Sequence, residues 1–168
     1  MFRWYQKAAK CYVFLSDVSV STATDAHQQS IWEASFRASK WFTRGWTLQE
    51  LIAPESVEFF SSEGWRLGDK RSLEPLIHEI TGIPVSALQN HAMDEFNILK
   101  RIRWAEKRKT TEEEDSVYCL LGILNVLLPL SYGEGAQKAM QRLQNEIETV
   151  NAAPVSYTHL TLPTILRV

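Results

Sequence analysis

The chain has 168 residues, of which 45% are hydrophobic and 23% are charged, and its formal net charge is −2. This composition is typical of one globular domain with a sizeable core, and the near-neutral charge argues against a surface that binds nucleic acid or an anionic membrane. The longest apolar run, Val117 to Leu130, is too short to cross a bilayer and is interrupted by Gly122, Asn125 and Pro129.

The first residues of the chain predict an α/β unit. Residues 1–10 have a helical pattern, and Cys11–Asp17 is the strongest strand signal because it is short, aromatic and β-branched. A helix followed by a buried strand is typical of a parallel sheet. Asp17 would then lie at the strand end where open α/β sheets bind ligands. Residues 19–29 are polar and lack periodicity, which predicts a loop.

The remainder of the chain predicts short strands and then only helices. The S-I-W-E and T-E-E-E segments at Ser30 and Thr111 are capping boxes, Asp94 is a helix cap, and Gly82 ends a helix. Val57–Phe60 predicts a strand, and 65–70 a strand end with a tight turn. The predicted helices cover residues 30–40, 72–81, 84–90, 96–107, 112–124 and 136–149.

The segment Trp41–Pro54, WFTRGWTLQELIAP, is the most informative part of the chain because it packs two Trp, a Phe, two Leu and an Ile around few charged or amide side chains. Its charged or amide side chains are Arg44, Gln49 and Glu50. Thr43 can cap a helix here, and the final proline stops it. Charged groups in a mostly buried helix need partners, so we predict that Arg44 and Glu50 contact each other or a neighbouring segment.

The pattern R-x-W-x-x-Q-E-L, formed by Arg44, Trp46, Gln49, Glu50 and Leu51, resembles the third signature block of the fungal heterokaryon-incompatibility (HET) domain. Three further segments extend the resemblance over most of the chain, in the order the family has them: FRWYQKAAKCYVFLSDV, RIRWAEKRKTTEEEDSVYCLLGIL and LPLSYGEGAQKAMQRLQNEI. The resemblance implies a cytoplasmic signalling module of vegetative incompatibility and programmed cell death. It also implies protein partners or self-association, controlled by a sensor domain that lies outside this sequence.

The resemblance implies an α/β fold in which a partial, flavodoxin- or TIR-like parallel sheet precedes a helical C-terminal region. We expect the C-terminal part of a HET domain over 1–70 and a helical extension over 71–150. The first two signature blocks of the family lie upstream of FRWYQ, so we expect the chain to begin within the domain. A disordered tail is expected over 151–168, where 155–168 reads as translated sequencing adapter. The alternatives are a genuine β-like tail and a non-functional, truncated gene model.

Two residues are candidate catalytic groups. HET domains have been likened to TIR domains, whose enzymatic members cleave NAD with a glutamate, so the resemblance implies an alternative in which Glu50 cleaves NAD as substrate. Asp17 would then contact the ribose or the backbone. The structural alternatives are an ion pair of Glu50 with Arg44 and a strand-end cap formed by Asp17, because analogy of fold is weak evidence of function.

The other residues that could bind ligands have plainer interpretations. The acidic run Thr111–Asp115 is predicted to be a solvated helix start, because consecutive carboxylates fan around a helix. Gly133–Gly135 is interpreted as a helix entry and not as an anion-binding loop. Cys11 and Cys119 have no framework spacing and are predicted to be reduced and buried. The four histidines lack metal-site spacing, so no metal is expected.

Overall fold

The computed structural model describes residues 1–20 and 28–151. Three strands are formed by β1 (Cys11–Phe14), β2 (Val57–Phe60) and β3 (Arg66–Asp69). The helices are α1 (Phe2–Lys7), α2 (Gln28–Arg37), α3 (Thr47–Ile52), α4 (Glu74–Thr81), α5 (Val85–Leu88), α6 (Ile98–Arg103), α7 (Asp115–Tyr118), α8 (Leu121–Leu124) and α9 (Ala136–Asn151). Single 3-10 turns lie at Lys40–Thr43 and Met93–Glu95.

The sheet has the order β1-β2-β3, with β1 parallel to β2 and β3 antiparallel to β2. The predicted α/β class is therefore confirmed, and the sheet is mixed. Alternate residues of the two parallel strands face opposite sides, as strand geometry requires. Val13 and Phe59, which are register partners, are buried, whereas Tyr12 and Phe14 are 65% and 60% exposed.

The core on the buried face of the sheet is aromatic. The Phe59 ring centroid lies 5.3 Å from that of Phe36 and 5.6 Å from that of Trp41, both in edge-to-face contact. Phe36 also meets Phe42 at 5.1 Å. These rings connect β2 with α2 and with the 3-10 turn that precedes α3, so the apolar start of the Trp41–Pro54 segment is explained by packing.

A second core lies among the C-terminal helices. Ala139, Leu143 and Ile147 are spaced by four residues on α9 and are at most 5% exposed. Together they form the buried apolar face of this helix, against which α7 packs. The sequence predicts a face of Met140, Leu143 and Ile147; the last two are buried, whereas Met140 is only partly buried. Both cysteines are free; Cys119 is buried in this core as predicted, whereas Cys11 is only partly buried.

Several predicted boundaries are confirmed. Val57–Phe60 forms the strand that the sequence predicts, and Gly82 ends α4 with a left-handed φ of 68° and a bond from its N–H to the His78 carbonyl. The strand predicted over Cys11–Asp17 is shorter, because the chain turns after Phe14. The helix start predicted at Ser30, after a loop to residue 29, is wrong, because α2 begins at Gln28. The predicted tail beyond residue 151 lies outside the described residues.

Two predicted helix starts are wrong. Asp94 lies in a separate 3-10 turn, and α6 is capped by Asn97, whose side-chain oxygen accepts from the Lys100 N–H at 2.8 Å. The helix predicted over 112–124 is divided into α7 and α8, and the Thr111 capping box does not form. The capping-box glutamate, Glu114, binds a distant loop, as described below.

Candidate functional site

The R-x-W-x-x-Q-E-L pattern lies on α3 and on the turn before it, and hydrogen bonds join the two. The Thr47 hydroxyl lies 2.6 Å from the Trp41 carbonyl oxygen and 2.8 Å from that of Arg44. It therefore bonds to the preceding turn in place of Thr43, whose hydroxyl donates to Lys40. The predicted cap at Thr43 is wrong because α3 begins only at Thr47, beyond the reach of that side chain.

Arg108 reaches this turn from the segment after α6. Its Nη1 donates to the Arg44 carbonyl and to the Thr47 hydroxyl, each at 2.8 Å. Nη2 is buried and has no hydrogen-bond partner among the residues described. Burial lowers the pKa of Arg108 to about 10, and the guanidinium stays charged at neutral pH.

Gln49 links α3 to α7. The side chain is buried, and its Nε2 donates to the Cys119 carbonyl at 2.8 Å. Oε1 is buried without a donor in the part of the chain that the structure describes. Leu51 is fully buried in the aromatic core, and Trp46 is half-buried against the C-terminal core. Gln49, Trp46 and Leu51 thus hold the two cores together.

Glu50 faces α1. Its Oε1 accepts from the Tyr5 hydroxyl at 3.2 Å, and burial together with this carboxylate raises the pKa of Tyr5 to about 12. No ion pair joins Glu50 to Arg44, whose side chain is exposed. Of the two predicted partners for Glu50, the neighbouring segment is therefore the one observed.

Asp17 ties the end of β1 to the next turn. Its Oδ1 accepts from the Ser39 hydroxyl at 2.8 Å, and its Oδ2 from the Lys40 N–H at 2.7 Å. Burial raises the pKa of Asp17, but these bonds outweigh burial and hold the pKa below its usual value. The carboxylate anchors the 3-10 turn, as the strand-end-cap alternative predicted.

The structure does not bring Glu50 and Asp17 together. Burial and the Glu50 carboxylate raise the pKa of the Cys11 thiol, at the start of β1. Asp17 follows the other end of the same strand, and the two carboxylates have no hydrogen-bond partner in common. Their catalytic assignment stays a prediction. No group of three or more metal-ligating side chains occurs within residues 1–20 and 28–151.

Glu114 forms a site that the sequence interpretation missed. The residue is 5% exposed, and its Oε1 accepts from the Gly133 N–H at 2.7 Å and from the Gly135 N–H at 2.9 Å. Both glycines have positive φ, 89° and 81°, which turns their N–H groups toward one point. The prediction that this part of the acidic run is solvated is wrong, because the Y-G-E-G loop, residues 132–135, binds the Glu114 carboxylate of its own chain.

Glu134, a residue of the same loop, bonds to side chains of α7 and α9. The carboxylate accepts from the Tyr118 hydroxyl at 2.7 Å and pairs with Arg142 of α9. Arg142 also donates to the Pro129 carbonyl at 2.7 Å, and the Tyr118 hydroxyl accepts from the Ser131 N–H at 2.9 Å. The LPLSYGEG segment is thus a fixed connection between α7 and α9, and its glycines do not cradle an external anion.

A buried lysine that the sequence interpretation also missed binds the C-terminal end of α3. Lys70 is 4% exposed, and its Nζ donates to the Pro54 carbonyl at 2.5 Å and to Asn90 Oδ1 at 2.7 Å. Asn90 Nδ2 lies 3.2–3.3 Å from the carbonyl oxygens of Ile52, Ala53 and Pro54. The two side chains satisfy carbonyl groups that a helix end leaves without partners.

An apolar groove of about 420 Å³ lies beside α3. Trp46 and Gln49 line its floor, and α1, α8 and the segment after α8 line its walls. Four large side chains on its rim are exposed: Leu127 by 85%, Trp4 by 80%, Met1 by 61% and Leu130 by 48%. The rim of the groove therefore exposes large apolar side chains to solvent.

Gly122 sets the width of this groove. A Cβ at Gly122 would lie 2.2 Å from Cβ of Phe2, so α8 and α1 approach closely only with glycine here. In most helices glycine-to-alanine substitution stabilises by up to about 1 kcal/mol. Here Gly122→Ala should instead lower the free energy of unfolding by about 1–3 kcal/mol and release α1. Denaturant unfolding and hydrogen exchange of the α1 amides measure both effects.

A double-mutant cycle separates this contact from a general intolerance of the position. In a Phe2→Gly background the steric conflict is absent, so Gly122→Ala should be neutral or stabilising there. Stabilisation by Gly122→Ala in the otherwise unchanged chain would show that α1 does not pack as described.

Comparison with known proteins identifies a curated relative that matches most of the chain. The chain is 55% identical over 147 residues to the vegetative incompatibility protein HET-E-1 of Podospora anserina. The match covers 88% of this chain and 11% of the relative, so the chain spans about a ninth of the length of the curated protein it matches. No family model matches the sequence, and no solved structure matches it. The predicted resemblance to vegetative incompatibility proteins is confirmed.

Proposed function

We propose that this chain, a relative of the fungal vegetative incompatibility proteins, is a cytoplasmic cell-death signalling module of non-self recognition that acts through protein contacts. The identity of 55% over 88% of the chain carries the proposal, because similarity of this extent is expected to preserve both fold and contact surfaces. In this proposal residues 1–70 supply the C-terminal part of a HET domain, residues 71–150 supply a helical extension, and a sensor outside this sequence controls them.

The distribution of polar groups favours contact over catalysis. Glu50 accepts a hydrogen bond from Tyr5, and Asp17 accepts hydrogen bonds from Ser39 and Lys40, so both carboxylates are occupied within the chain. Glu114 and Glu134 are likewise occupied, because their bonds hold the Y-G-E-G loop. The apolar groove beside α3, in contrast, leaves large side chains exposed. This surface is the best candidate for the partner-binding face.

We expect Leu127→Glu to abolish cell death when the chain is expressed inducibly in a filamentous fungus. The side chain is 85% exposed, so the change should leave the fold intact while placing a charge on the apolar rim. Growth should return to that of cells without the protein. Trp65→Glu is the matched control, because Trp65 is 56% exposed and does not line the groove; it should remain toxic.

Measuring NAD in the same cells tests the enzymatic alternative. The proposal predicts that death occurs with NAD unchanged and that Glu50→Gln remains toxic. NAD loss that Glu50→Gln prevents would replace the proposal with the NAD-cleaving enzyme. A folded chain that causes neither death nor NAD loss would favour the interpretation as a non-functional gene model.

A further inference from the structure

Arg101 of α6 is a nearly buried cation that forms no ion pair within residues 1–20 and 28–151. The residue is 8% exposed, and its Nη1 donates to the Ile123 carbonyl at 2.9 Å. Nε is buried and has no hydrogen-bond partner among the residues described. A carbonyl group satisfies one donor but does not neutralise the charge, and an uncompensated charge inside a protein is costly. The surroundings of Arg101 are therefore suited to an anion.

The unused edge of this guanidinium has the geometry that binds a carboxylate. Nη1 is occupied by Ile123, whereas Nη2 makes no hydrogen bond to the part of the chain that the structure describes and, unlike Nε, keeps access to solvent. Nε and Nη2 lie on the same edge of the planar group, and their two parallel N–H groups match the two oxygens of a carboxylate. Arg101 thus offers a complete bidentate site.

A cavity of about 430 Å³ adjoins Arg101, within the range of roughly 300–1,000 Å³ that is typical of small-molecule sites. Its apolar lining residues are Phe2, Met93, Ile98, Leu124, Val126 and Ile147. Helix α1 contributes one side, and the other walls come from α6, α8, α9 and the turn at Met93–Glu95, so the cavity belongs mainly to the helical C-terminal region. Neither Trp46 nor Gln49 lines it, which separates it from the groove beside α3.

The charges that face the cavity favour a single negative charge in the ligand. The other polar lining residues are Arg3, Gln6, Asp94 and Asn125. Two arginines and one aspartate give the lining a net charge of +1. Burial lowers the pKa of Arg101, and the Asp94 carboxylate opposes this effect without forming an ion pair with the guanidinium. A monoanion is neutralised by this lining, whereas a dianion would keep an excess negative charge beside Asp94.

We propose that this cavity, the Arg101 pocket, binds an amphipathic monocarboxylate. The carboxylate accepts from Nη2 and Nε of Arg101, and the apolar chain packs against Ile98, Leu124 and Ile147. Nη2 is reached first, and the side chains that cover Nε move apart to admit the second oxygen. A medium-chain fatty acid has the required chemistry, with one charge at the end of an apolar chain. The site goes beyond the proposed function, because it adds a small-molecule ligand that binds apart from the groove assigned to a protein partner.

Calorimetric titration of the purified 168-residue chain with decanoate, below its micelle concentration, tests this pocket. The control ligand is 1-decanol, which has the same apolar chain without the charge and should bind at least about tenfold more weakly. Arg101→Met fills similar space and removes the unpaired charge, so the variant should remain folded. It should lose about tenfold or more in affinity for decanoate and bind 1-decanol as the unchanged chain does.

A change of opposite sign is expected at Asp94. Asp94→Asn removes the carboxylate that repels the ligand and should tighten decanoate binding by about two- to fivefold. Glu95→Gln is the matched control, because Glu95 is an exposed neighbour on the same turn and does not line the pocket; its affinity should be unchanged. If Arg101→Met does not fold, by circular dichroism, then Arg101→Lys and Asp94→Asn decide. The lysine keeps the charge but lacks the fork, so it should also bind decanoate more weakly.

The Nε–H signal of Arg101 in nuclear magnetic resonance spectra identifies the contact directly. Decanoate should shift this signal, and 1-decanol should not. A folded chain that does not bind decanoate, equal affinity for decanoate and 1-decanol, unchanged affinity of a folded Arg101 variant, or an unshifted Nε–H signal would overturn the assignment. Each measurement uses the purified chain, so its outcome is independent of toxicity in the fungal host.

Discussion

Replacing Phe59 by alanine should lower the free energy of unfolding by about 3–5 kcal/mol, the range measured for large-to-small changes at fully buried aromatic positions. Phe59 is 0% exposed on the central strand and meets the rings of Phe36, Trp41 and Phe42 at centroid distances of 5.3, 5.6 and 6.3 Å. The change removes the ring itself and the edge-to-face contacts, and it leaves a cavity in a core that cannot collapse easily, because the sheet fixes one of its walls.

The neighbouring residue supplies the control for this experiment. Phe60 lies on the same strand but faces the opposite, more exposed side of the sheet. Phe60→Ala should therefore cost clearly less than Phe59→Ala in equilibrium denaturation of the two variants. Equal losses would mean that the aromatic cluster is not the main core of the sheet. Because the cluster positions the turn before α3, Phe59→Ala should also loosen the Arg44–Leu51 motif.

The local elements were predictable because their signals are local. The apolar residues of Val57–Phe60 predicted strand β2, and Gly82 predicted the end of α4, where the structure shows a positive φ. The division between α7 and α8 was not predictable, because it depends on contacts made far away in the sequence. Glu114 binds glycines 19 and 21 residues later, and Gly122 approaches Phe2 of α1. From the sequence alone, the acidic residues 112–115 and the apolar residues that follow them therefore appeared to form one continuous helix.

In the candidate site, too, features with local sequence signals were predictable and contacts between distant residues were not. The motif identified the segment that joins the two cores, and burial of Gln49 and Leu51 explains why these residue types occupy it. The sequence left two possible partners for Glu50, Arg44 or a neighbouring segment. The observed partner, Tyr5, is 45 residues away in the sequence, so no local signal could identify it. Lys70 had no signal at all, since an isolated lysine beside a turn normally lies in solvent.

Lys70 should make the stability of the chain depend on pH in the alkaline range. Burial lowers the pKa of its ammonium from 10.5 to about 8. Below pH 8 the group is charged in the folded and unfolded states, and the cost of burying the charge is fully present. Between about pH 8 and 10.5 the unfolded chain binds more protons, so the free energy of unfolding rises with pH. The full rise corresponds to roughly 3 kcal/mol.

Comparing the unchanged chain with Lys70→Met isolates this contribution from other groups that titrate in the same range, including the nearby Cys11 thiol. Denaturant unfolding at pH 7 to 10.5 should show the rise in the unchanged chain and a flatter profile in Lys70→Met. Lys107→Met, at an exposed position, should keep the original slope. Parallel profiles for the chain and Lys70→Met would mean that the amine is hydrated in solution, and that Asn90 alone satisfies the carbonyls at the end of α3.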